Sequence, residues 1–111
     1  MKFTTSEVYK AAVISFKGKL MGGPDSKDFH SQIDDYLNNG KKNIIIDLSE
    51  VKFVNSSGLG NIVRAFSTVK DAGGVLKLSG NTAKIEGLLS ITKLDSIFEQ
   101  YPSVEEASKS F

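Results

Sequence analysis

The sequence of 111 residues contains no cysteine. That excludes disulfides, thiolate metal sites and cysteine nucleophiles together. It holds one histidine, His30. On a helical wheel His30 falls off the neighbouring apolar stripe, so we expect it to face solvent. A Ser-His-Asp arrangement would have to use it, and no nucleophile-elbow pattern supports one. An excess of one charge is missing too: 14 Lys and Arg stand against 13 Asp and Glu, for a net charge of +1. Bulk electrostatics therefore do not point to nucleic acid, and no aromatic residues interleave with a basic stripe. No apolar run approaches the ~20 residues of a membrane span. Met1 to Glu7 lacks the apolar segment of a signal peptide. We expect a cytoplasmic protein with no membrane insertion. Gly58-Leu59-Gly60 is not followed by the Lys-Ser/Thr of a phosphate-cradling loop. Asp34-Asp35 and Glu105-Glu106 read as solvated helix faces, and Asp47 as a local hydrogen-bonding residue at a strand end. We expect no enzyme, no cofactor and no metal.

What is present is ordinary in bulk and specific in pattern. Hydrophobic residues make up 40% and charged residues 24%, usual for a globular chain. At this length one domain over 1–111 is expected, able to bury about two thirds of its unfolded surface. Phe3 to Lys10 and Ala11 to Phe16 read as an opening hairpin, with Gly18 just past it. Leu20-Met21-Gly22-Gly23-Pro24-Asp25 is punctuated by Gly and Pro and reads as a loop. Phe29, Ile33, Tyr36 and Leu37 recur at helical spacing over Ser26 to Asn39, and Gly40 suits a left-handed stop. Ile44-Ile45-Ile46 marks a strand covered on both faces. A second helix runs from Ser57 to Asp71 and a strand from Val75 to Ser79. A third helix starts near Asn81 or Thr82 and buries Ile85, Leu88 and Leu89. A short strand is expected around Ile97-Phe98, and a last helix from Ser103. The order β-β-α-β-α-β-α-β-α implies an α/β fold with helices on a sheet containing parallel pairs.

The most informative run is Asn55-Ser56-Ser57-Gly58-Leu59-Gly60, where a strand turns into a helix. Asn55 or Ser56 can cap the free N–H groups of the first turn, worth about 1 kcal/mol. Capping leaves two features over. Gly58 and Gly60 each cost about 1 kcal/mol relative to Ala in a helix interior. Breaking a local rule twice implies that something approaches the backbone closely, either a neighbouring strand or a partner protein. At about 100° per residue, Gly60, Arg64 and Ser67 lie away from the stripe Leu59, Ile62, Val63, Phe66 and Val69. Ser57 points outward, and Ser56 sits at the mouth of the helix. A phosphoryl group there meets the positive end of the helix dipole, so the fold tolerates it. Toward a partner it adds roughly −1.5 to −2 charges and bulk.

The stretch from Ile46-Asp47-Leu48-Ser49 through Asn55-Ser56-Ser57-Gly58-Leu59-Gly60 resembles the STAS domain family, and within it the anti-sigma factor antagonists. Lys70 to Leu78 and Leu94 to Phe98 resemble later elements of that family. The resemblance implies a mixed β-sheet with about four helices packed largely on one face. It implies a protein-binding switch that binds an anti-sigma factor, itself a serine kinase, and so releases the sigma factor. The kinase phosphorylates a serine that maps to Ser56, with Ser57 the neighbouring alternative, and a PP2C-type phosphatase reverses it. The partner-binding residues expected are Asn55, Ser56, Ser57, Gly58, Gly60 and Arg64, with Met21, Gly22 and Gly23 of the preceding loop at the same end. Asn55 departs from the family, which usually has Asp there; Asn can cap but carries no charge. Two other readings stand beside this one: an accessory subunit of a transporter, and a signalling adaptor that is never phosphorylated.

Overall fold

A computed structural model describes residues 2–8, 10–23 and 26–111. Pro24 and Asp25 of the expected loop, and Tyr9 of the expected first strand, lie outside the described residues. The described residues form β1 (Lys2–Val8), β2 (Ala11–Leu20), α1 (Ser26–Asn38), β3 (Asn43–Val54), α2 (Ser56–Asp71), β4 (Val75–Ser79), α3 (Ala83–Ile91), β5 (Glu99–Tyr101) and α4 (Val104–Lys109). The sheet order is β1-β2-β3-β4-β5. β1 and β2 are antiparallel, and every later pair is parallel. The mixed α/β sheet and its helices agree with the expected architecture.

The topology explains the layers. Each parallel step advances one strand in the same direction, and crossovers are right-handed. Helices α1, α2 and α3 are therefore carried to one face. Strand alternation supplies their floor. Ala12, Ile14 and Phe16, then Ile44, Ile46 and Leu48, then Leu76 and Leu78 meet Phe29, Ile33, Leu59, Ile62, Val69, Ile85 and Leu89 in the main core. The alternate residues Ala11, Val13 and Ile45 face the other way and pack with Ala107 of α4. Three helices cover one face and a short fourth covers part of the other.

The structure corrects the sequence reading in three places. β2 does not stop at Phe16. It passes through Gly18 at φ 72° and continues to a buried Leu20, with register shifts against β3 between Ser15 and Lys17 and between Gly18 and Lys19. Each shift places one extra residue on β3, so the longer β3, Asn43–Val54, stays paired with β2 as far as Leu20. The last strand is Glu99–Tyr101, not Ile97-Phe98. Phe98 instead enters the main core, its ring 5.1 Å from that of Phe66. Leu88, expected in the core, is half-buried at its margin. Tyr36 is buried in the main core, and burial raises its phenol pKa above 10.0, only partly offset by a hydrogen bond with Thr5.

Candidate functional site

The site is built where β2 and β3 end and α2 begins. Asn55 adopts extended backbone at φ −121° and ψ 175°. Its Oδ1 accepts the Gly58 N–H at 2.8 Å, and its carbonyl accepts the Leu59 N–H at 3.0 Å. Its own N–H donates to the Leu20 carbonyl at 3.3 Å. Asn55 is thus the cap, and α2 starts at Ser56, one residue earlier than expected. Because the amide does the capping, neither serine hydroxyl is spent on it, and both Ser56 and Ser57 are exposed. We expect Asn55→Ala to lower stability by about 1 kcal/mol, read as a shift in urea midpoint. Asn55→Asp keeps the acceptor, and the midpoint should stay within a few tenths of that of the wild type.

The two glycines divide between the two explanations. Gly58 is buried, and a Cβ there would lie 1.8 Å from the Leu20 carbonyl oxygen. Its small size serves the neighbouring strand end. Gly60 is exposed with nothing within 4 Å of an added Cβ. No contact within the described residues requires it to be glycine. Gly22 of the loop is brought against the same turn, where an added Cβ would meet the Ser57 Cβ at 2.8 Å. Gly23 is exposed, and Met21 is 37% exposed. Arg64 is exposed two turns further along α2, about 12 Å from Ser56 at 1.5 Å per residue. Asn55, Ser56, Ser57, Gly58 and Gly22 thus form one cluster, with Met21 and Gly23 on the adjoining loop. Arg64 stands apart on the same helix.

Two features were not anticipated. His30 is half-buried, not solvated. Its Nε2 lies 2.9 Å from Asn61 Oδ1. Asn61 Nδ2 donates to the Ser57 carbonyl at 3.2 Å. A wheel drawn on α1 alone cannot show a partner on α2. The second feature is a groove of about 400 Å³ lined by Phe53, Val54, Ala83, Lys84, Gly87, Leu88 and Ile91. Phe53 is 44% and Ile91 80% exposed. Ala83, Gly87 and Ile91 recur every four residues, a second stripe on α3 that the sequence displays.

Asp47 behaves as the sequence suggested. Its Oδ2 accepts from Ser15 Oγ at 3.3 Å, and its Oδ1 accepts the Ser49 N–H at 3.1 Å. Among the described residues no group of three or more His, Cys, Asp or Glu side chains could hold a metal ion, and no helix is long and apolar enough to cross a membrane.

The sequence matches the STAS domain family over residues 3–107. The chain belongs to the STAS domain family. This is the family that the Ile46 to Gly60 motif resembles. The chain is 38% identical over 74 residues to a Thermotoga neapolitana protein provisionally named an anti-sigma factor antagonist. That match covers 67% of this chain and 66% of the relative, just under two thirds of its length. The crystal structure of a provisionally named anti-sigma factor antagonist from Thermotoga maritima superposes with a TM-score of 0.85 at 28% identity, covering 97% of this chain and 92% of that one. The Bacillus cell fate determinant SpoIIAA in its phosphorylated form superposes with a TM-score of 0.77 at 17% identity, covering 98% of each chain. At that identity the likeness to SpoIIAA is one of fold. Homology to anti-sigma factor antagonists therefore rests on the Thermotoga proteins.

Proposed function

We propose that this STAS protein is an anti-sigma factor antagonist and that Ser56 is its phosphorylation switch. The unphosphorylated Ser56 end binds an anti-sigma factor that is also a serine kinase, and this binding releases the sigma factor. Phosphorylation ends the contact, and a PP2C-type phosphatase restores it. One observation carries the reading: Asn55 performs the cap, so two exposed hydroxyls stand at a helix start with no structural task. Addition of a phosphoryl group there takes nothing from the fold. The positive end of α2 favours the added charge, whereas a partner seated on Ser56 meets a bulky, solvated dianion. The domain stays folded and loses its partner. The contact surface comprises Asn55, Ser56, Ser57, Gly60 and Arg64, with Met21, Gly22 and Gly23 beside them. Gly58 supports this surface from beneath. The protein performs no catalysis of its own.

The test incubates the protein with the kinase-type anti-sigma factor of its own genome and ATP, and reads intact mass. Wild type and Ser57→Ala should each gain one phosphate, and Ser56→Ala none. Isothermal titration should show the phosphorylated form binding weaker by on the order of 100-fold, or about 2.8 kcal/mol. A phosphate retained on Ser56→Ala moves the acceptor to another residue. Tight binding with no phosphate on any form supports the adaptor reading. Co-purification with a transporter and no such kinase supports the transporter-subunit reading.

A further inference from the structure

The turn that presents Ser56 is intrinsically weak. It carries glycine at 58 and 60, each of which weakens a helix, and no acidic residue in its first turn. Helix starts fray where their N–H groups lack partners. The Asn55 cap pairs the Gly58 and Leu59 N–H groups, and contacts from the rest of the fold add to it. Gly58 against the Leu20 carbonyl is one support. The second comes from α1. The Ser57 carbonyl can only accept, so the Asn61 amide must turn Nδ2 toward it. Oδ1 is then left facing the imidazole, and an amide oxygen also only accepts. His30 therefore donates through an Nε2–H, with its ring 5.1 Å from that of Phe29. The chain of contacts runs from α1, through His30 and Asn61, to the carbonyl of Ser57, the residue after Ser56.

We propose that His30 is a positioning residue, tying the first turns of α2 to α1 and so fixing how Ser56 is presented. The functional half of this rests on Ser56 being the modified residue; the tie itself does not. Amide hydrogen exchange on the protein alone tests the tie. In His30→Ala, residues 59–63 should exchange about 5-fold to 10-fold faster, the effect of one lost hydrogen bond. Amides of β3 and β4 should be unchanged after correction for global stability measured in urea. His30→Gln, whose amide can donate in the same direction, should restore protection. Because His30 is the only histidine, a long-range ¹H–¹⁵N spectrum reports one imidazole, and its neutral form should carry the proton on Nε2. An Nδ1–H tautomer, or exchange in 59–63 that does not change in His30→Ala, overturns the tie. With the kinase present, Ser56 phosphorylation should slow in His30→Ala and recover in His30→Gln; an unchanged rate overturns the presenting role. If protection behaves as expected and no kinase acts on the chain, the Ser56 reading fails and the tie stands.

Discussion

Gly58→Ala is expected to lower stability by about 3 kcal/mol or more, at or above the top of the usual overpacking range. For a chain of this size that is a fall of roughly 10 °C or more in Tm. The cause is geometric. The new methyl would sit 1.8 Å from the Leu20 oxygen and 2.5 Å from its carbonyl carbon. Both are backbone atoms at the end of β2. That carbonyl also accepts the Asn55 N–H, so moving it away breaks the link between β2 and the cap. Gly60→Ala, two residues on, should do the opposite. It meets nothing within 4 Å and removes a helix-interior glycine, so stability should rise by about 0.5–1 kcal/mol. Urea midpoints of the two variants separate these outcomes, and equal shifts would refute the assignment. If the Ser56 end is a contact surface, Gly60→Ala should also weaken partner binding while stabilising the fold. Added thermal stability alone cannot produce that opposite sign.

The contrast shows what the sequence holds and what it does not. Both glycines are visibly costly in a helix, and the sequence offers strand or partner as the reason. Only the position of Leu20 decides between them. On sequence grounds Leu20 falls in the loop, because Gly22, Gly23 and Pro24 punctuate that stretch and Gly18 lies just past the strand at Phe16. The irregularities that carry β2 past Gly18 depend on pairing with β3, which no local pattern encodes. Repetitive signals were legible: the Ile44 to Ile46 run, the strand Val75–Ser79 and the α2 stripe all stand as read. β5 was not, because Glu99-Gln100-Tyr101 is a short polar edge strand fixed by its neighbour β4. At the candidate site the cluster of cap, serines and loop was legible, since its residues lie close in sequence or share a motif. His30 was not, since its partner lies 31 residues away on another helix.

Lys77 is the strongest remaining case of a residue whose role only the packed structure reveals. Its strand reads Val-Leu-Lys-Leu-Ser, and alternation turns Lys77 away from the main core, onto the face where α4 lies. It is only 4% exposed. Its Nζ donates to Ser110 Oγ at 2.6 Å and to the Ser110 carbonyl at 3.2 Å. The Tyr101 hydroxyl is at 3.5 Å and Glu99 Oε1 at 3.6 Å. The ammonium also lies 4.4 Å from the Phe111 ring centroid and 5.2 Å from that of Tyr101. Every one of these partners comes from β5 or beyond, so a single cation holds the C-terminal segment against the sheet. Removing it takes a donor from the Ser110 carbonyl and hydroxyl, although that hydroxyl still donates to the Ala107 carbonyl at 2.6 Å, and empties the space between two rings. Glu99 is largely exposed, so its carboxylate returns to water at little cost. Lys77→Ala should therefore lose about 2–3 kcal/mol, below the 3–5 of a fully buried pair. Lys77→Met, which keeps the stem between the rings, should lose about half as much. Hydrogen exchange should rise across 101–111 in both variants, more than in β2 or β3. Equal losses for Ala and Met would mean that the charge alone holds α4. Protection of α4 unchanged in Lys77→Ala would mean that Val104, Ala107 and Phe111 hold it without the cation.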